Sequence, residues 1–387
     1  MTKLRDICRF QSGGTPSRGT PAYFNGNVPW ITTVALNGDV IDGNQAIEWI
    51  TDEAIAKSAA KIVPPHSVMV GTRVGIGKVA INSVPMSTSQ DIISLIGIDE
   101  NKWDKKFICH LITANKEHLT SQARGATIKG IKIEAIADLV LPEISLKEQA
   151  RISEVIGKVD ALMHMHQQMA MNLEQLIKSR FIEMFGDPKR NPRKWDMVTI
   201  GDIATDVRYG TSRPATEGGK YPYLRMNNLT YEGYLDLTDL KHIDIPDNEV
   251  EKCVVRNGDV LFNRTNSVEL VGKTCVYNLD SDMIIAGYII RVRIDDRVLP
   301  VILSSYLNST VMKEQLRSMA KGAVNQANIN AQELRSIPIY LPPITLQHEF
   351  ATFVEQVDKS KFYIVQMQIL LRLLTRAIQQ KTTEVLL

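Results

Sequence analysis

The run Gly71-Thr72-Arg73-Val74-Gly75-Ile76-Gly77-Lys78 places glycines ahead of a lysine, a pattern that can cradle a phosphate. Its glycine spacing does not fit a phosphate loop, and Val79 stands where a serine or threonine would hold magnesium. A turn between strands accounts for it better. His164 and His166 are two residues apart, so on a helix they face different ways and do not share a metal ion. Cys8, Cys109, Cys253 and Cys275 form no CxxC or CxxxC pair, so no zinc ribbon is expected. The chain carries no HExxH, GxSxG or kinase signature. It also lacks an Asn-Pro-Pro-Tyr-type adenine-methylation motif and a glycine-rich cofactor loop, and no Asp…Glu-x-Lys nuclease constellation stands out. The expectation is a non-catalytic chain with no metal site and no bound cofactor.

What remains is the chemistry of binding. Polar and basic residues gather at corresponding loop positions of the two halves of the chain. In the first half they are Ser12, Thr15, Ser17, Arg18, Arg73, Lys78, Arg124, Lys129 and Lys132. In the second half they are Arg208, Tyr209, Thr211, Arg213, Arg225, Asn227, Asn228, Asn263, Arg264, Thr265, Asn266, Lys273, Lys321, Asn325, Gln326 and Asn328. Arginine pairs two-pronged with guanine, and asparagine or glutamine with adenine. Lysines and hydroxyls more often hold phosphates. Asn263-Arg264-Thr265-Asn266 puts four such side chains on one loop, and Arg73 and Arg264 recur in one context. The plainer reading of any single residue here is a solvated loop, with some Asn and Gly serving turn geometry. Lys189, Arg190, Arg193 and Lys194 are read equally as phosphate contacts or as a solvated linker.

The elements that would position these residues come in two copies. Leu4-Arg5-Asp6-Ile7 through Gly14-Thr15 recurs as Ile200-Gly201-Asp202-Ile203 through Gly210-Thr211. Val28-Pro29-Trp30-Ile31 recurs as Tyr221-Pro222-Tyr223-Leu224, and Val68-Met69-Val70 as Val260-Leu261-Phe262. Gly77-Lys78 answers Gly272-Lys273, and Leu141-Pro142-Glu143-Ile144-Ser145-Leu146 answers Leu341-Pro342-Pro343-Ile344-Thr345-Leu346. The order never breaks, and the spacing of roughly 190–200 residues is far too long for a solenoid repeat. The chain is therefore a duplicated, domain-sized unit. Each copy is a mixed segment of short β-rich runs and turns, then a Leu-Pro stop, then a long helical stretch.

The first helix is expected to start near Ser145, with Glu148 at capping-box spacing, and to end at Gly186-Asp187-Pro188. Its apolar seam reads Ile152, Val155, Val159, Leu162, Met169, Leu173 and Leu176. His166 and Arg180 interrupt it. The second helix, from near Thr345, reads Phe350, Phe353, Val357, Ile364, Met367, Leu371, Leu374, Ile378 and Val385. Sustained heptads argue for a coiled coil. The alternative is two amphipathic helices packed on their own domains. Antiparallel pairing is expected, because it relates the two copies by a pseudo-twofold axis.

Composition narrows the class. With 45 Lys+Arg against 43 Asp+Glu, a net charge of +2 and 44% hydrophobic residues, the 387-residue chain is neither a disordered tail nor a histone-like binder. No leader-like apolar run opens it, and no 18 consecutive apolar residues occur. A cytoplasmic protein away from membranes, in a reducing compartment, is expected.

Together these features resemble the specificity (S) subunit of type I restriction-modification systems. The resemblance rests on Ser12-Gly13-Gly14-Thr15-Pro16-Ser17, Val28-Pro29-Trp30-Ile31 and the Leu-Pro-x-Ile-x-Leu entry to each helix. Met184-Phe185-Gly186-Asp187-Pro188, followed by Asn191-Pro192 and Trp195, also belongs to it and is not repeated after the second helix. It implies an α+β fold of two similar mixed α/β target-recognition domains, separated by a pair of long antiparallel coiled-coil helices. The implied division is recognition domain 1 at 1–144, a central helical region at 145–197, recognition domain 2 at 198–343 and a second helical region at 344–387. It further implies that each domain reads half of a split site in double-stranded DNA. The helices would set the spacing and dock two methyltransferase subunits. Restriction subunits would complete the complex, and S-adenosylmethionine, ATP and Mg would be used by those partners. Two rival readings are a self-contained nuclease or fused methyltransferase, and a coiled-coil adaptor that binds only protein.

Overall fold

β-Branched runs bounded by turn residues become strands, and they build the same two sheets in each half of the chain. The computed structural model describes residues 1–38, 40–125, 129–323 and 326–384, without the side chains at 321–323, 326 and 379–384. In the first half the main sheet runs Arg9–Ser12, Ile92–Ile96, Val68–Gly71, Val79–Asn82, Val40–Ile41. The second half repeats the first four as Ala204–Tyr209, Ile289–Ile294, Val260–Asn263, Thr274–Val276. A second sheet runs Glu48–Ile50, Phe24–Ile31, Met86–Thr88, Ile62–Val63 in one half. In the other it runs Lys241–Ile243, Tyr221–Leu224, Met283–Ile285, Val254–Val255. In both copies its two middle strands are parallel. Matched helices follow: Lys105–Ala114 with Pro300–Asn308, and Ile133–Ala137 with Ala331–Arg335. The duplication is a duplication of topology.

Backbone hydrogen bonds define its register more finely than shared tetrapeptides do. Gly13 donates to Ile92 O at 3.0 Å and Gly14 to Thr88 O at 2.9 Å. The corresponding bonds are Gly210 to Ile289 O at 3.2 Å and Thr211 to Ile285 O at 2.9 Å, so Gly210 matches Gly13 rather than Gly14. Thr72 donates to Asp91 O and accepts from Ile131, both at 2.8 Å. Arg264 makes these two bonds with Tyr288 and Ile329, both at 2.9 Å. Arg264 therefore matches Thr72, and the expected recurrence of Arg73 and Arg264 is corrected by one residue. The Leu-Pro match is out by two. Gln149 accepts from Asp104 N at 2.9 Å and donates to Lys102 O at 3.1 Å and Ile144 O at 3.2 Å. Gln347 does the same with Leu299 N at 2.8 Å, Arg297 O at 3.0 Å and Pro342 O at 2.9 Å. Ile144 thus matches Pro342, not Ile344.

Both long helices form, at Leu146–Phe185 and Ile344–Glu384. The Ser145 hydroxyl caps the first, accepting from Glu148 N at 3.2 Å. The chain divides into two compact units, one of residues 1–166 and 366–387, the other of residues 167–365. Each unit therefore holds one mixed domain and one half of each helix. Within the second unit the helices run antiparallel: Lys361 pairs with Glu174 at 2.8 Å, while Phe350 meets Phe181 and Phe185. Buried seam positions Phe350, Val357, Ile364 and Leu371 repeat every seven residues, and Ile378 at the next step is partly buried. Phe353 and Leu173 are partly buried, and Val159 is buried.

Both long helices correct the expected seam. Leu162, Leu176 and Leu374 are 42%, 47% and 47% exposed, and Val155, Met169 and Met367 are exposed as well. In the central helix, Leu146–Phe185, their places are taken by Ile156, Met163, His166, Ala170 and Ile177, all buried or partly so, alongside Ile152. The physical reason is that neighbouring residues lie about 100° apart on a helix, so a seam read one residue early falls just over a quarter turn off the covered face. Choosing the column with most leucines selects a face that the neighbouring helix does not cover.

The second domain and the helix ends share one core, in which Phe181, Phe185 and Phe350 pack with Ile200, Phe262 and Tyr340. The first domain has its own, built on Leu4, Val68, Leu95, Phe107 and Leu141, with Ile152 against it. The four cysteines are free, and burial pushes the Cys109 and Cys275 thiols up to about 12. Among the described residues no helix is long and apolar enough to cross a membrane.

One buried charge gives a pH prediction. Lys313 is 4% exposed, and its Nζ donates to Gly272 O at 2.9 Å and lies 4.9 Å from the Tyr231 ring. Burial, with Lys178, Lys273 and Arg317 nearby, lowers its pKa from 10.5 to about 7. The unfolded chain keeps this proton over a pH range in which the folded chain has lost it. Folding is therefore penalised fully below about pH 7, and stability rises with pH from there towards the ordinary lysine value. Lys313→Met is expected to remove a slope of up to about 1.4 kcal/mol per pH unit. Urea unfolding of both chains at neutral and alkaline pH measures the slope, and equal slopes would contradict the assignment.

Candidate nucleic-acid interface

The loops that follow the first and third strands of the second domain's main sheet meet around an open cavity of about 600 Å³. Tyr209, Gly210, Thr211, Ser212, Arg213 and Arg264 line it, with Glu249, Lys252, Cys253 and Gly287. The backbone approaches closely here: a Cβ on Gly210 would lie 2.0 Å from Ile285 O, so only glycine fits. Arg213 forms a two-pronged pair with Glu249, at 2.7 and 3.2 Å, which holds that carboxylate below its usual range. The Arg264 guanidinium carbon lies 4.9 Å from the Tyr209 ring centroid. Tyr209 is itself held by Ala331 N, which donates to its hydroxyl at 2.7 Å. The cavity thus has a planar cation stacked on an anchored ring, further donors at its rim and one acid tied to an arginine. This is a surface for negative or acceptor-rich groups.

The structure brings Tyr209, Thr211, Arg213 and Arg264 together at this cavity. Other expected contacts prove to be scaffolding. Asn263 is fully buried; its Nδ2 donates to Thr265 O at 3.2 Å and Tyr288 O at 3.0 Å, and its Oδ1 accepts from Asn266 at 2.8 Å. Thr265 donates to Asn328 at 3.1 Å, so the polar loop spends most of its groups on its own shape. Lys273 is buried, with Nζ donating to Met226 O at 2.7 Å. Asn228 is buried too, and the Thr211 hydroxyl accepts from Arg213 N at 3.2 Å. Arg225 pairs with Asp239 at 2.7 Å and Arg208 with Asp206 at 2.7 Å, while Asn227 is exposed. The side chains of Lys321 and Gln326, and Asn325 entirely, lie outside the described residues.

In the first domain Ser12, Ser17, Arg18, Arg73, Lys78, Arg124, Lys129 and Lys132 are exposed and Thr15 is partly buried. Arg18 pairs with Glu48 and lies 4.9 Å from the Phe24 ring centroid and 5.4 Å from that of Trp30. Arg73 stands 3.6 Å from Asp91. Lys78 and Lys273 accept the same backbone bond, from Gly71 and Asn263, yet only Lys78 reaches solvent.

Sequence reasoning missed the joints between domain and helix. Gln149, with Ser153 donating to Asp104 at 2.9 Å, ties the first domain to its helix, and Gln347 ties the second. In the second, Tyr234 donates to Asp358 at 3.2 Å, and Lys361 lies 3.6 Å from the Tyr234 ring. The signal available was a glutamine near the start of both helices, on the face that carries the apolar seam. A larger cavity of about 980 Å³ beside these helices, lined by Phe181, Tyr234 and Val354 among others, holds none of the expected DNA contacts.

The fold is a duplicated mixed domain with polar loops, each copy entering a long helix. The chain belongs to the family of type I restriction modification DNA specificity domains, whose model matches residues 1–175 and 192–374. It is 27% identical over 249 residues to the type I restriction enzyme MjaIX specificity subunit of Methanocaldococcus jannaschii, covering 59% of this chain and 57% of that one. It is 23% identical over 324 residues to the EcoKI specificity subunit of Escherichia coli, covering 78% of this chain and 70% of that one. In fold it is similar to the S subunit of M. genitalium, with TM-score 0.54 and 15% identity over 98% of this chain and 95% of that one. A chain from a structure describing complex assembly and conformational transition of the type I R-M system matches with TM-score 0.62 and 18% identity, over 98% of this chain and 96% of that one.

Proposed function

We propose that this chain is the DNA sequence-specificity subunit of a type I restriction-modification complex, and that it is not itself an enzyme. Each mixed domain reads one half of a bipartite duplex target in the cytoplasm. The helices set the distance between the halves. Two methyltransferase subunits dock on the chain, and restriction subunits complete the assembly. S-adenosylmethionine, ATP and Mg are used by those partners. One observation carries the reading: the two domains keep the same strand order while their matched loop positions differ in chemistry, Thr72 against Arg264 and Gly14 against Thr211. Two frames with different donors and acceptors are what an asymmetric split target requires. The exposed apolar residues along the central helix, Leu162, Met165, Met169 and Leu176, offer partner subunits a surface.

A net charge of +2 leaves little phosphate attraction to this chain alone. The expectation is weak, salt-sensitive DNA binding by the purified chain, and tight binding and methyl transfer once its methyltransferase partner is added. Gel shifts and methyl-transfer assays with and without the partner test this. Turnover by the chain alone favours an enzyme, and a partnered complex that ignores DNA favours a protein-only adaptor.

A further inference from the structure

We infer that Arg264 is the residue with which the second domain reads a guanine in its half of the target, and that the first domain has no counterpart. This rests on the specificity-subunit reading and names one of its base contacts. Arg264 leaves the strand Val260–Asn263 with its backbone pinned on both sides, to Tyr288 O and Ile329 N. Its guanidinium is stacked on Tyr209, whose ring is anchored through Ala331. Among the described residues Arg264 has no carboxylate partner, and its Nε is shielded from solvent with no hydrogen-bond partner. By contrast Arg208, Arg213, Arg225, Arg291, Arg293 and Arg297 each pair with an acid. Those arginines must break an ion pair before they can bind a base. Arg264 has only to be met, because its rotamer freedom is already spent on the ring.

The ligand follows from the geometry. A guanidinium fork presents two parallel donors, which match O6 and N7 on the major-groove edge of guanine. The two acceptors of that edge lie in one plane, as the two donors of the fork do, and replacement by lysine separates this contact from one to phosphate. In the first domain the matched residue is Thr72, which is buried and whose hydroxyl donates to Asp91 O at 3.0 Å. Ser12, opposite Ile93 in the strand pairing, takes the place that Tyr209 holds opposite Ile290. Neither the fork nor its platform exists there.

The test is methylome sequencing of cells whose only specificity gene encodes the parent chain, Arg264→Gln, Arg264→Lys or Arg264→Ala. The half-site of the second domain is assigned by exchanging residues 198–343. The parent motif is expected to contain a G·C pair in that half. Arg264→Gln and Arg264→Ala should lose discrimination at that pair by about 5- to 150-fold, with every other position retained. Arg264→Lys keeps the charge without the fork and should also relax that position. A uniform fall in methylation with an unchanged motif, restored by Arg264→Lys, identifies a phosphate contact and overturns the inference. So does loss of all methylation in Arg264→Gln while the chain still binds its methyltransferase. A bipartite parent motif lacking a G·C pair in that half overturns the inference alone. Absence of any bipartite motif overturns the reading beneath it.

Discussion

Replacing residues 1–144 with the corresponding segment of another family member is expected to change one half of the DNA target completely and leave the other half and the spacer untouched. The packing explains why. The first domain's core is built from its own residues, from Leu4 to Leu141, and meets the central helix through Ile144 and Ile152. The polar joint is small: Gln149 bonds to Asp104 N and Lys102 O, and Ser153 to Asp104. A donor segment that presents a capping aspartate and a free carbonyl at those places docks on the same helix. The second domain's core draws on Phe181, Phe185 and Phe350 and on none of residues 1–144. Methylome sequencing of the hybrid reads the outcome, and a change in both halves would contradict modular reading.

The second large effect concerns the helix pair. Phe350→Ala is expected to destabilise the unit of residues 167–365 by about 3–5 kcal/mol. Phe350 is fully buried, with ring centroids 5.4 Å from Phe181 and 5.5 Å from Phe185, both near edge-to-face. Removing it opens a cavity where both helices and the second domain share one core, and neighbours held by backbone cannot collapse into it. Urea unfolding followed by circular dichroism measures the loss. Phe350→Leu should cost less, and a loss of under about 1 kcal/mol for the alanine variant would mean that this junction is not the joint between helices and domain.

Much of the architecture was legible in the chain because duplication writes itself twice. The two Leu-Pro stops, the recurrent strand tripeptides and the heptads predicted two mixed domains and two long helices, and these are present. Register was less legible. Gly14, Arg73 and Leu141 resembled Gly210, Arg264 and Leu341, but backbone hydrogen bonds match them with Thr211, Thr265 and Ile339. Sequence similarity follows residue type, whereas strand register follows which N–H meets which C=O, and insertions of one or two residues separate them. On the helices, heptad spacing left open which apolar column is covered, and Leu162, Leu176 and Leu374 fell outside it.

At the candidate site, residue type identified the loop but not the role of each member. Asn263 and Arg264 are neighbours of equal promise in sequence. One turns inward to close the loop on Tyr288 O, and the other stacks over Tyr209 at the cavity. Strand alternation sends consecutive side chains to opposite faces, and which face is buried depends on sheets formed by residues far away. Gln149 and Gln347 were overlooked for a related reason. A polar residue on a seam reads as an interruption until the backbone groups it satisfies are in view.

The central claim is that two domains of one chain read the two halves of one split DNA target. Its most direct test is single-molecule methylome sequencing of the host with and without the gene for this chain. The account predicts that one bipartite adenine-methylation motif, two specific halves around a spacer of fixed length, disappears on deletion and returns on complementation. An unchanged set of methylated motifs, or loss of a motif that is short and continuous, would contradict it.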